Sequence, residues 1–140
     1  MAIVQGQTTV FKTNLLKGTE NFNTGTSYVY KIALYDATAE LNADTLAYTA
    51  VGEITGTGYT AGGEVLTPTI PDNGSGVAYV SFSNVTWTPA SFTCFGALVY
   101  NATTGAAVCV LNFGSSKLAV NSFTIQFPTA DATNAILRIT

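Results

Sequence analysis

The chain has 140 residues, no histidine, and five Lys or Arg against eight Asp or Glu, for a formal net charge of −3. Only 9% of its residues are charged, where an average soluble domain has roughly 25%. That balance excludes a nucleic-acid surface, because phosphate neutralisation needs clustered cations and Lys12, Lys17, Lys31, Lys117 and Arg138 are scattered.

A chain of this length forms one domain, 1–140, and buries about two-thirds of the surface it exposes when unfolded. No apolar run approaches the roughly 20 residues of a helical membrane span. The first residues lack the charged head and long apolar stretch of a secretory signal, so assembly in a cytoplasm is expected. Thr, Ser, Asn and Gly supply the polar surface. Two accounts fit such a skin: a subunit that lies against neighbours, or a stable β domain with an uncharged coat.

In chain order, residues 1–9 read as a loose arm. Phe11, Leu15, Leu16 and Phe22 then recur near helical spacing and Gly18 offers a C-terminal stop, which predicts one short helix or, equally, an irregular apolar plug. A loop at 23–26 leads into a strand at 27–35, apolar on both faces and therefore central. Residues 36–45 read as a polar loop and 47–54 as the next strand. The glycine-rich hoop 56–63 has no Lys-Ser/Thr after it and no helix signal, so it reads as a wide loop holding Tyr59 outward and not as a phosphate cradle. A strand at 65–70 carries Pro68, which argues for an edge, and 71–76 reads as a turn.

Residues 77–113 organise the rest. Val80, Phe82, Val85 and Trp87 alternate with small polar residues, with a phase slip at Ser83-Asn84 where a bulge or break belongs. Residues 95–100 and 106–113 flank the loop 101–105, whose Asn101 and Gly105 tolerate turn geometry; this is the clearest hairpin. A register pairing Tyr100 with Ala106 sets Cys109 opposite Ala97, turns Cys94 to the other face, and predicts two buried free thiols. A crossover or short strand at 114–120, a strand at 122–127 stopped by Pro128 and a last strand at 135–139 complete the chain. Seven to nine short strands between Gly, Pro and Asn turns predict an all-β fold, a single β-sandwich of jelly-roll or Greek-key type with at most one short N-terminal helix.

Little in the chain can do chemistry. Without histidine there is no Ser-His-Asp triad, no Cys-His pair and no His-based metal site. Most of the carboxylates fall in expected loops, and Asp36, Glu40 and Asp44 lack the spacing and glycine of an EF-hand loop. Sequons at Asn73, Asn84 and Asn101 are expected by chance in so Asn- and Thr-rich a chain. Trp87, Tyr59 and Tyr79 are candidates for glycan stacking, with core packing the plainer account of Trp87. The expectation is no enzyme, no metal and no cofactor.

Several pieces together carry a resemblance: Phe11-Lys-Thr-Asn-Leu-Leu-Lys-Gly18 with Asn21-Phe22, Tyr30-Lys-Ile-Ala-Leu-Tyr35, Tyr48-Thr49 with Gly52-Glu53, the hoop 56–63, Val85-Thr-Trp-Thr88 and Gly96-Ala-Leu-Val-Tyr-Asn101. In this order, over about residues 11–113, they resemble a family of small virion structural proteins of tailed bacteriophages. The resemblance implies a particle component and supplies no catalytic residues. Among positions on a particle, low charge and an N-terminal arm suit a capsid cement (decoration) protein that binds the major capsid protein and itself, as a homotrimer. On that expectation 1–22 is the capsid-facing arm, with Phe11, Leu15 and Leu16 in it, and the hoop presents Tyr59 as a second contact. A neck or tail component, or a glycan-binding β-sandwich, are the alternatives.

Overall fold

The structure is a computed structural model that describes residues 2–23, 25 and 27–140. Its elements are β1 (Gly6–Gln7), α1 (Thr9–Lys17), β2 (Tyr30–Tyr35), β3 (Glu64–Leu66), β4 (Asp72–Gly74), β5 (Val77–Val80), β6 (Val85–Asn101), β7 (Ala107–Ile125) and β8 (Leu137–Ile139). They form two antiparallel sheets, β1-β7-β6-β2-β3 and β4-β5-β8, packed as an all-β sandwich.

The long pair β6–β7 is the frame. Asn101 closes the hairpin by donating its amide to Ala106 and accepting from Gly105, while its side-chain oxygen accepts from the amides of Thr103 and Thr104. Bulky β-formers alternate with Thr and Ser along β6, so Val85, Trp87, Ala90, Phe92 and Cys94 turn inward while Thr86, Ser91 and Thr93 face out. Beyond Phe95 both faces of β6 are buried, because Ala97 and Val99 face the larger core while Leu98 and Tyr100 face a second core closed by Ile3, Ala39, Leu41 and Tyr48.

β2 explains this double cover. Ile32 and Leu34 join the larger core, which takes in Phe11 from α1, Val80 and Leu137 from the small sheet, and Phe22 and Phe82 from the segments that follow α1 and β5; Ala33 and Tyr35 join the second core with Leu41, Leu98, Tyr100 and Val110. The central, two-faced strand read from sequence is therefore present at Tyr30–Tyr35, and the break before Val85 falls where the phase slips.

Four expectations need correction. The segment 2–9 is not a loose arm: β1 pairs with Cys109 and Val110, Ile3 bridges Leu41, and Thr8 is fully buried. Thr8 caps α1 by accepting from the Phe11 amide, and its hydroxyl reaches the carbonyls of Ala107 and Val108, so the cap also anchors the helix to β7. Residues 47–54 make isolated bridges at Ala47 and Glu53 and no strand, since tight turns at 50–53 leave no room for a ladder. Inside the expected turn 71–76, Asp72–Gly74 pairs with β5 and only Ser75-Gly76 turns, both with positive φ. The expected pieces 114–120 and 122–127 merge into one strand ending at Ile125, because β6 gives both the same partner. The loop expected at 23–26 and the start of the arm at Met1 lie partly outside the described residues.

The hairpin register also differs from the expected one. Tyr100 pairs with Ala107 and Val99 with Cys109, and a second irregularity at Phe95 resets the phase of β6. Both Cys94 and Cys109 consequently lie in the larger core, and both are free thiols. Burial pushes each up to about 12.

Two predictions follow from these anchors. Thr8→Ala removes the cap and the two long-range hydroxyl bonds; it should cost about 1–2 kcal/mol, read as a lower urea midpoint at unchanged slope. An unchanged midpoint would show that the cap is dispensable. The thiols should resist alkylation in the folded protein and react on unfolding, because they are buried and held protonated; rapid native-state labelling would contradict the packing.

Candidate interaction site

The candidate residues fall in two places. Phe11, Leu15 and Leu16 belong to α1, whose start is fixed by Thr8 and whose end is fixed by Gly18 in the left-handed region at φ 73°. Phe11 points into the core and meets Phe22 edge-on at 5.9 Å, so it is a packing residue and not a contact surface. Leu15 is half-buried. Leu16 is 91% exposed, the most exposed of the large apolar side chains. Beside the helix, Phe11, Leu15, Phe22, Val80 and Leu137 line an apolar cavity of about 150 Å³, and Leu16 with Ile139 continues it outward as a groove flanked by Lys12 and Arg138.

Tyr59 is not held out on the hoop. Its ring packs between Trp87 and Phe92, at 6.5 and 6.0 Å, and its hydroxyl donates to Glu53 while accepting from the Leu34 amide. Glu53 gathers the loops: it also accepts from the Tyr48 hydroxyl and the Gly62 amide. The hoop lies flat on the sheet because its glycines permit it. A Cβ at Gly58 would sit 1.8 Å from the Pro89 carbonyl oxygen, and one at Gly63 1.8 Å from that of Ile32.

Sequence reasoning missed Glu53 and Glu20. Glu20 is buried and accepts from the Tyr30 hydroxyl and the Asn101 side chain, with Oε2 unpartnered among the described residues. The available signal was a lone carboxylate amid an almost uncharged, tyrosine-rich stretch. These carboxylates organise structure: their partners are phenols and amides, and burial raises the phenols of Tyr30, Tyr48 and Tyr59 above the usual range, with the hydrogen bond to the neighbouring glutamate adding to it.

Trp87 is 2% exposed, so it offers no stacking platform to a glycan. Tyr79 is half-buried beside the apolar cavity. Asn101 is fully buried, which removes it as a glycan acceptor. Asp36 accepts from the Thr38 amide and hydroxyl and so caps its own turn, Glu40 is exposed, and no group of three or more metal-ligand residues occurs among the described residues. No described helix is long and apolar enough to cross a membrane.

No known family's model matches the chain, and no curated protein or solved structure matches it.

The Glu53 knot yields two checks. Glu53→Ala strips the acceptor from two tyrosines and an amide and should cost about 2 kcal/mol, most of it from the half-buried phenol of Tyr59. Full retention of stability would show that water replaces the carboxylate. Both thiols and the phenols of Tyr30, Tyr35, Tyr48, Tyr59 and Tyr100 are raised in the folded state by burial, so their protonated forms support folding below the unfolded values. Stability should hold below about pH 8.5, then decline as the unfolded chain's thiols and, above about pH 10, its phenols ionise first. A denaturation midpoint that stays level from pH 8 to 11 would contradict that linkage.

Proposed function

We propose that the chain is a non-enzymatic structural component of a tailed-bacteriophage virion, a cement protein that binds the major capsid protein and stabilises the head shell. The observation that carries the reading is the α1 surface. Leu16, the most exposed large apolar residue among the described residues, stands beside an apolar groove flanked by Lys12 and Arg138, on a chain in which only 9% of residues are charged. Behind it α1 is tied at Thr8 to β7 and at Phe11 to the core, so docking would order little that is not already held.

Two parts of the expectation change form. The capsid-facing element is the outer side of α1 and not a reaching arm, because residues 2–22 are built into the domain. The hoop loses Tyr59 as a contact, leaving Thr57, Thr60 and Ala61 at its exposed crest.

Removing residues 1–10 would test folding as much as attachment, since it takes away β1 and the helix cap. Leu16→Asp separates the two. Its own stability should stay within about 0.5 kcal/mol of the parent. Burying a leucine is worth about 1.5–3 kcal/mol, so attachment to purified shells lacking the chain should weaken roughly tenfold or more in co-sedimentation. Equal co-sedimentation of parent and variant would remove α1 as the docking element. Failure of the parent itself to bind any shell would remove the cement reading.

A further inference from the structure

Most edges of the two sheets are short or blocked. β1 has two residues, β3 three with Pro68 following, and β4 and β8 three each. The edge of β6 that β2 leaves open is covered by the hoop, where Thr57 bridges Ser91, and carries Pro89. The far half of β7 is different. β1 covers β7 only in its near half, at Cys109 and Val110, and the Asn112 amide is held by the Gln5 side chain. From Lys117 to Ile125 it pairs with β6 on one side, and among the described residues no strand pairs with its other side. That edge has no proline; Lys117 and the kink at Asn121, whose φ is 73° where the register slips opposite Thr88-Pro89, bound a regular stretch from Lys117 to Val120 that is open to pairing. Leu118 and Val120 stand on its outer face, 70% and 66% exposed.

We propose that this edge of β7 pairs antiparallel with the same edge of a second copy, about a two-fold axis at Ala119. The register follows from the side chains. With Ala119 opposite its own mate, Leu118 of each copy faces Val120 of the other, giving two apolar cross-strand pairs on the outer face. Lys117 then faces Asn121, so the two lysines are kept apart; centring the axis on Lys117 would oppose like charges, and centring it on Leu118 would leave Val120 against Ser116. A two-fold contact uses one patch twice and closes at two copies, so the pair is self-limiting. The isolated chain should form it with no shell present, which makes the inference independent of the virion reading.

The test is molar mass by light scattering across a wide concentration range, with hydrogen exchange on the same samples. The parent should reach twice the 14.6 kDa chain mass, and amides at 117–121 should slow as concentration rises. The double variant Leu118→Lys, Val120→Lys sets cations against cations at exposed positions and should return to the monomer mass, while Leu16→Asp should keep the dimer. A parent that stays monomeric, a trimer, a double variant that still dimerises, or exchange at 117–121 that ignores concentration would each overturn the proposal. The exchange measurement needs only the parent chain, so a misfolded variant would not blunt it.

Discussion

The antiparallel pairing of β6 with β7 is the constraint on which the rest depends. Its near half, closed at Asn101, is a central hairpin with a core on each face: one core takes the small sheet and Phe11 of α1, the other takes the N-terminal segment and the loops after β2. Its far half projects past β2 and has one buried face, filled by Trp87, Phe92 and Phe123, with ring centroids 5.6–6.4 Å apart. The irregularities at Phe95 and at Thr88-Pro89 let one strand serve both halves, because each resets which side chains turn inward. Without the reset at Phe95, Cys94 would leave the core it now fills.

The loops are held by a different interaction. In a chain with 9% charged residues, two glutamates tie separate segments together, Glu20 at the β2–hairpin junction and Glu53 beneath the hoop. Glu20 accepts from the Tyr30 hydroxyl and Glu53 from those of Tyr48 and Tyr59, which keeps polar tips satisfied where the rings are packed. The surface carries few other charges: Lys12 and Arg138 flank the groove beside Leu16, and the β7 edge has Lys117 alone.

Much of this fold was legible in the sequence where patterning is local. Period-two alternation marks β6, Asn101 and Gly105 mark the turn, Gly18 marks the helix end, and apolar residues on both faces mark β2 as central. The errors arose where tertiary partners decide. Gly114 and the polar run after it read as a break, yet β6 draws the whole segment into one strand. Asp72-Asn73-Gly74 has turn composition and pairs with β5 because the chain folds back at Ser75-Gly76. Thr8 carried a cap signal that was passed over, and with it the anchoring of the N-terminal segment. Among site residues, helical spacing found α1 but could not separate buried Phe11 from exposed Leu16. Tyr59 was misplaced because its acceptor, Glu53, is a loop residue that no periodicity points to.

On the proposed cement role, a small, weakly charged domain would present exposed apolar side chains such as Leu16 to a repeating surface. The most direct test of that claim is quantitative mass spectrometry of purified particles, counting copies of this chain against the main shell protein. The cement reading predicts copies in numbers that scale with the shell lattice. A handful per particle would assign the chain to a neck or tail, and its absence from particles would contradict the virion reading altogether.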